Sequence, residues 1–252
     1  MIGYDKIPEH EGTLLDLPFY EGIGTITRDQ AKPHHQDVLL INTPTWESLE
    51  SEFDFGFDSG FDFGVPLGVL SFNNVSQEYI ELDDASCVDL DFIAGDYSIG
   101  EWIRWEDTST SLNIMGRYEL NVSGWEHYLF RAGGPIDYLT TRHHHAGTLV
   151  GANARSGCYS AGWLPDIWWF MGISRFGGGE AFHCRNGIAL TMATGGLVDP
   201  ETCNQDLTIG TRWQKNGDFY KGKRYRLRIW NRALAASEWL QIFEKERRFF
   251  GV

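Results

Sequence analysis

The sequence feature that most constrains the fold is the closing stretch, residues 206–247, of this 252-residue chain. Two alternating segments, 206–210 and 219–230, lead into a tight Asn-Arg-Ala-Leu corner. Alternation of polar and apolar residues predicts strands that are buried on one face. Behind the corner, Trp239, Ile242 and Phe243 are spaced as on one side of a helix. The closing stretch therefore predicts a β-sandwich sealed by one short helix over 235–247.

The rest of the chain repeats short apolar runs separated by Gly, Asn, Asp and Pro. Residues 97–105 alternate most clearly and place Ile99 and Ile103 on one face. Asn186-Gly187 predicts a type I′ hairpin, whose two central residues need positive φ. Further strands are predicted at 14–19, 37–41, 68–72, 78–82, 125–130, 148–150, 168–174 and 188–192. We expect an all-β, two-sheet antiparallel jelly-roll sandwich that forms a single domain over residues 1–252.

Composition and charge restrict the partners of the chain. The chain has 42% hydrophobic and 14% aromatic residues, which is typical of a globular protein. Its formal net charge of −14 disfavours nucleic acid and anionic membranes, since both need a positive field. A cation, a neutral glycan or a basic protein stays compatible. No segment approaches the roughly 18 apolar residues of a membrane span, and the first residues show no secretory signal.

The four cysteines, Cys87, Cys158, Cys184 and Cys203, form no Cys-x-x-Cys pair, which argues against a zinc knuckle. Their even number permits two disulfides. Buried thiols are the favoured interpretation, because a chain without a visible signal stays in a reducing compartment.

A low-complexity Phe/Asp/Gly segment at about 53–64 is predicted to be an insertion. Its phenylalanines cannot all stay in water at low cost, so they either join the core of their own domain or contact a protein partner. Its aspartates offer a third interpretation, a Ca²⁺ site, although such loops supply several convergent oxygens. The protein-contact candidates are Phe53, Phe55, Phe57, Phe61 and Phe63.

Catalytic motifs are missing from the sequence. Retaining glycosidases hold two carboxylates about 5 Å apart, and no Glu-x-Asp-x-x-Glu strand occurs. Glu101 and Glu106 should lie on opposite faces of a regular strand. His143-His144-His145 resembles a metal site, with His143 and His145 on one strand face, but an exposed loop or polar strand face is the favoured interpretation. We therefore predict that the chain is not an enzyme.

Several blocks, taken in order, resemble the laminin-G-like domains of the concanavalin A-like superfamily. The blocks are 17–24, Asp29 and 43–46; 70–73 and 79–82; 97–105 with a central Trp102; 168–172 and 185–187; and 209–210, 219–222 and 229–234. The resemblance implies a jelly roll used for recognition, in which some members bind glycans, some bind proteins, and several hold a structural Ca²⁺. Glu101 departs from the resemblance, because it occupies a position that is usually small and apolar.

Two functions remain open. The favoured prediction is a virion-associated recognition or structural protein, a phage head decoration or a tail or adhesion component, with other protein subunits as partners. The alternative is a secreted or cell-surface carbohydrate-binding module. Aromatic side chains that stack on sugar rings, together with nearby amide groups, are typical of sugar-binding sites. The ligand candidates are Trp102 and Arg104, on the strand face opposite Ile99 and Ile103, and Trp163, Trp213 and Asn216 in loops.

Overall fold

The computed structural model of the protein describes residues 10–31, 35, 38–49, 68–106, 111–131, 137–146, 155–190 and 197–252. Within these ranges, sixteen strands form two antiparallel sheets of eight, and one α-helix lies near the C-terminus. The prediction of an all-β sandwich with a short closing helix is confirmed. The insertion at 53–64 and the strand at 148–150 lie outside the described residues, and the single-domain boundary stays a prediction.

In chain order the strands are β1 (Thr13–Leu17), β2 (Ile26–Thr27), β3 (Val38–Ile41), β4 (Thr45–Ser48), β5 (Gly68–Phe72), β6 (Tyr79–Leu82), β7 (Tyr97–Trp105), β8 (Leu112–Glu119), β9 (Ser123–Arg131), β10 (Asp137–His144), β11 (Arg155–Trp163), β12 (Trp169–Arg175), β13 (Ala181–Arg185), β14 (Ile188–Ala189), β15 (Leu207–Ile209) and β16 (Gly222–Trp230). The first sheet has the order β14-β13-β12-β7-β16-β5-β4, and β1 pairs with β16. The second sheet has the order β11-β10-β9-β8-β15-β6-β3-β2.

The core lies between the two sheets and follows the strand alternation. Ile99 and Ile103 of β7 meet residues such as Leu129 of β9 and Leu139 of β10 in one buried cluster. Glu101 shares the inward face with the two isoleucines and is fully buried. The departure from the laminin-G-like pattern is therefore accommodated by repacking, because Arg224 of β16 binds the Glu101 carboxylate through two nitrogens at 2.6–2.9 Å.

The helix α1 (Ala236–Glu246) covers the outer face of the first sheet. It begins where the Glu238 carboxylate accepts a hydrogen bond from the main-chain N–H of Ala235. The ring of Trp239 rests on a cross-strand glycine pair, Gly100 and Gly172, where a Cβ atom would lie 2.5 or 2.8 Å from the ring. Positions 100 and 172 must therefore be glycine for the helix to pack this closely on the sheet.

Other local predictions can be compared with the structure. Asn186 and Gly187 have φ of 50° and 77°, which confirms the predicted hairpin between β13 and β14. All four cysteines are free and buried, as the thiol interpretation expected. The sequence did not predict β8, β10 and β11; in the second sheet β8 and β10 flank β9, and β11 pairs with β10. None of the described helices has the length and apolar character needed to span a membrane.

Candidate functional site

Trp102 lies on the predicted face of β7, but it is fully buried beneath the C-terminal segment. Its ring stacks on Phe250 at 3.9 Å, and its indole N–H donates to the Glu246 carboxylate at 2.8 Å. Trp102 therefore anchors the closing helix to the sheet. The expectation that it offers a stacking platform for a ligand is wrong for this structure, because the helix covers the face onto which it projects.

Trp163 was predicted in a loop, but it ends β11 and has no exposed surface. Its indole N–H donates to the Ser160 hydroxyl at 2.9 Å, and its ring packs edge-on against Trp169. This ligand prediction is wrong as well, because Trp163 belongs to the core between the two sheets. A buried ring cannot present its face to a sugar.

Arg104 lines a cleft of about 350 Å³ at one end of the first sheet, together with Glu106, Asp166, Gly222 and Lys223. The Arg104 guanidinium donates to the main-chain oxygen of Asp166 at 3.3 Å. Lys221 binds Glu106 at 2.6 Å next to the cleft. Glu106 lies at the surface and Glu101 in the core, as the strand alternation predicted. Because two acidic and two basic residues line this cleft, it does not favour a ligand of one sign of charge.

Trp213 and Asn216 lie in the loop between β15 and β16, as predicted, with Trp213 half-buried and Asn216 exposed. The Asn216 amide oxygen accepts a hydrogen bond from Arg212 at 2.8 Å. The main chain of Trp213 forms a hydrogen bond with the side-chain hydroxyl of Tyr118 on β8. The loop thus borders the outer face of the second sheet.

That outer face presents an aromatic cluster on β9, β10 and β11. Leu129 and Leu139 point into the core, so their neighbours along the strands point outward. Phe130 is directly opposite Tyr138, and their rings, with those of Tyr128 and Tyr159, cover two adjacent rows of the sheet. Phe130 is 44% exposed and Tyr159 is 47% exposed. We call Tyr128, Phe130, Tyr138 and Tyr159 the aromatic face.

A polar network adjoins the aromatic face and centres on Glu126 of β9. Its carboxylate contacts the Asn113 amide at 3.3 Å, the Arg142 guanidinium at 3.5 Å and the His144 ring at 3.2 Å. Burial alone raises the pKa of Glu126, but the hydrogen bond and charge of His144 and the charge of Arg142 outweigh burial and lower it. Glu126 is therefore an ionised acceptor beside the aromatic rings.

The histidine triplet is buried, so the expectation of an exposed loop is wrong, whereas His143 and His144 lie on polar faces of the strand β10, as the second alternative expected. His143 bonds the Tyr97 hydroxyl at 2.8 Å and the Val198 carbonyl at 2.9 Å inside the sandwich. His144 points to the opposite face and joins the Glu126 network. Both ring nitrogens of His145 are buried with no hydrogen-bond partner in the described part of the chain. No group of three or more His, Cys, Asp or Glu side chains among these residues is arranged to hold a metal ion.

The five phenylalanines of the protein-contact prediction lie outside the described residues. They are Phe53, Phe55, Phe57, Phe61 and Phe63. The aromatic face, by contrast, was missed by the sequence analysis. The available signal was that Tyr128 and Phe130 alternate with the inward-facing Leu129. A strand that carries apolar or aromatic side chains on both faces indicates a second apolar surface.

Comparison with known proteins supports the fold. No protein-family model matches the sequence, and no curated relative matches it. The structure is similar to the binding domain of botulinum neurotoxin serotype G, at 15% identity and a TM-score of 0.62, covering 93% of this chain and 51% of that one. A binding domain of botulinum neurotoxin DC in complex with SialylT is similar at 12% identity and a TM-score of 0.61, covering 94% and 51%.

The same neurotoxin binding domain in complex with rat synaptotagmin II is similar at 11% identity and a TM-score of 0.58, covering 94% of this chain and 52% of that one. The chain thus spans about half the length of these neighbours. At this level of identity the likeness establishes the sandwich fold. Ligands named for those proteins belong to chains about twice as long as the part that matches.

Proposed function

We propose that the chain is a non-enzymatic carbohydrate-recognition module whose binding site is the aromatic face. The observation behind this proposal is the exposed pair Phe130 and Tyr159, with the half-buried Tyr138 between them, beside the ionised Glu126 network. Aromatic rings bind the apolar face of a sugar, and nearby charged or amide groups bind its hydroxyls. The outer face of the second sheet carries both the aromatic rings and the polar groups, on the neighbouring strands β9, β10 and β11.

We do not assign catalysis to this site, because Glu126, the carboxylate beside the aromatic face, is not suited to donate a proton. A glycosidase needs one carboxylic acid whose pKa is raised, so that it can protonate the leaving oxygen. The pKa of Glu126 is lowered instead, and three side chains of the network already bind its oxygens. Glu126 is buried and is suited to orient the donors around it, such as Arg142 and His144.

The structural neighbours support a recognition function at the level of the shared fold. They are binding domains, and one is described in complex with SialylT, while for another cell entry depends on interaction with two ganglioside molecules. Membership of the laminin-G-like group is part of the same proposal, and an extracellular or surface location would accompany it.

A glycan array tests the proposal with the wild-type chain, Tyr159→Ala and Phe130→Ala. We expect the wild type to bind a defined set of glycans and each variant to lose roughly fivefold or more in affinity, because one stacked ring contributes about 1 kcal/mol. Tyr20→Ala is the matched control, since Tyr20 is 49% exposed but lies outside the aromatic face. Silence across the array, or equal loss in the control, would contradict the proposal.

The second candidate function is a structural or adhesion subunit of a virion. The observation that favours it is the Phe-rich segment at 53–64, whose apolar side chains suit a contact between protein subunits. Its test is size measurement and partner capture with the wild type and a variant carrying Phe55→Ser, Phe57→Ser and Phe61→Ser. Loss of assembly in the variant is the expected result. Two equally soluble monomers with no partner would contradict this candidate.

A further inference from the structure

Two arginines lie at the polar end of the aromatic face. Arg142 on β10 pairs with Glu126 of β9 and with Gly157 of β11. Arg155 of β11 pairs with His144 of β10. Strand alternation places all of these residues on the outer side of the second sheet, in the rows next to the aromatic rings. The two guanidinium groups thus belong to the surface proposed to bind a glycan.

Arg142 is fixed in place but retains unused donors. Its guanidinium carbon lies 4.2 Å from the centre of the Tyr128 ring, which orients the planar group. Its ion pair with Glu126 is long, at 3.5 Å, and uses one terminal nitrogen. Since Glu126 also accepts from His144, Asn113 and Tyr118, its negative charge is shared among four partners. The Arg142 side chain remains 26% exposed.

Arg155 adds a second positive charge without a counter-charge among the described residues. It is half-buried and close enough to Tyr128 for its charge to act on that phenol. Among the described residues, the two rows that contain Glu126, Arg142, His144 and Arg155 therefore hold two arginines and one carboxylate, in a chain whose formal net charge is −14. The Asp218 carboxylate is close enough to interact with Glu126 from the neighbouring loop. Within these two rows the positive charges outnumber the negative one, in contrast to the chain as a whole, and the rows lie next to the exposed rings.

We propose that the glycan bound by the aromatic face is acidic, with a sugar carboxylate bound by Arg142 and Arg155 while the glycan extends along the strands to contact Tyr159 and Phe130. This inference rests on the proposed carbohydrate function. A guanidinium matches the two oxygens of a carboxylate with two parallel N–H donors, and an exposed aromatic ring binds the apolar side of a pyranose in the same glycan. A neutral glycan would offer the two arginines only hydroxyl groups, which bind a guanidinium less strongly than the two oxygens of a carboxylate do.

Calorimetric titration with three probes tests the inference. The probes are a uronic-acid tetrasaccharide, its methyl ester, which removes the charge and keeps the skeleton, and a sialylated trisaccharide. We expect at least one of the two acids to bind, and the ester to bind roughly tenfold or more weakly than its parent acid if that acid is the ligand. Arg142→Gln and Arg155→Gln should each remove most of the preference for the acid. Arg142→Lys should retain part of the preference for the acid, because lysine keeps the positive charge but lacks the two parallel N–H donors of the guanidinium.

The control is Arg28→Gln, which makes the same change of charge at an exposed position near the opposite edge of the sheet. It should leave binding unchanged, and the unfolding midpoint of each variant verifies that it folds. Equal binding of acid and ester, or loss of the preference in Arg28→Gln as well, would overturn the inference. Binding of neutral glycans that depends on Phe130 would then still support the proposed function, whereas no binding of any glycan would overturn both.

Discussion

At the scale of single residues, the pair Glu101 and Arg224 joins the two sheets through the core. Both side chains are fully buried, and a terminal nitrogen of Arg224 also donates to the Ile114 carbonyl of β8 in the opposite sheet, at 2.7 Å. Burial raises the pKa of the Glu101 carboxyl, and the adjacent Arg224 charge acts against this. Sequence alternation placed Glu101 inside, but its partner lies 123 positions away in the chain and has no local signal.

Glu101→Gln should therefore lower the free energy of unfolding by about 3–5 kcal/mol, because it leaves a buried guanidinium without its counter-charge. The double variant Glu101→Leu with Arg224→Met should be clearly more stable than Glu101→Gln, since it removes both charges. Denaturant unfolding of the three proteins measures this. A loss below about 1 kcal/mol in Glu101→Gln would show that the pair is as weak as a surface ion pair.

At the scale of elements, the sequence predicted best those strands whose inward residues are apolar. The strand β7 was predicted with its observed bounds, because Ile99 and Ile103 alternate with outward residues. The strand β10 was missed, because its inward residues include Thr141 and His143, which bond other buried polar groups. The candidate site was missed with it, since Tyr138 and Arg142 belong to the same strand. Hydrophobic alternation cannot reveal a strand whose buried face is polar.

The docking of helix α1 depends on the absence of side chains at Gly100 and Gly172. Gly172→Ala should lower the free energy of unfolding by about 1–3 kcal/mol, because the new methyl group would lie within 2.8 Å of the rigid Trp239 ring. Gly95→Ala is the matched control, since a Cβ atom there meets nothing within 4 Å. Thermal unfolding measures both. A neutral Gly172→Ala would contradict the described packing of the helix.

At the scale of the whole molecule, buried histidines set the dependence of stability on pH. Burial lowers the pKa of His143 and of His183 to about 3. The unfolded chain, with pKa near 6.5, therefore binds more protons below pH 6.5, and stability falls as the pH drops from about 6.5 toward 3. His35 behaves oppositely. Burial lowers its pKa, but hydrogen bonds to Asp29 and Asp89 outweigh burial and raise the pKa to about 9.

The stabilisation from His35 is thus complete below pH 6.5 and is lost as the pH rises through about 9. We expect a maximum of the unfolding midpoint near pH 6.5. On its acid side the free energy should fall by up to about 1.4 kcal/mol per pH unit for each buried histidine. His35→Gln should flatten the alkaline decline and leave the acid decline intact. A midpoint that stays constant between pH 6.5 and 9.5 in the wild type would contradict the role of His35.

The measurement that tests the central claim most directly is a nuclear magnetic resonance titration of the isotope-labelled chain with a glycan that it binds. The account predicts that shifts concentrate on β9, β10 and β11, at and around Phe130, Tyr138 and Tyr159, and spare the cleft lined by Arg104 and Lys223. Shifts that concentrate at that cleft on the first sheet, with the aromatic face unchanged, would contradict it.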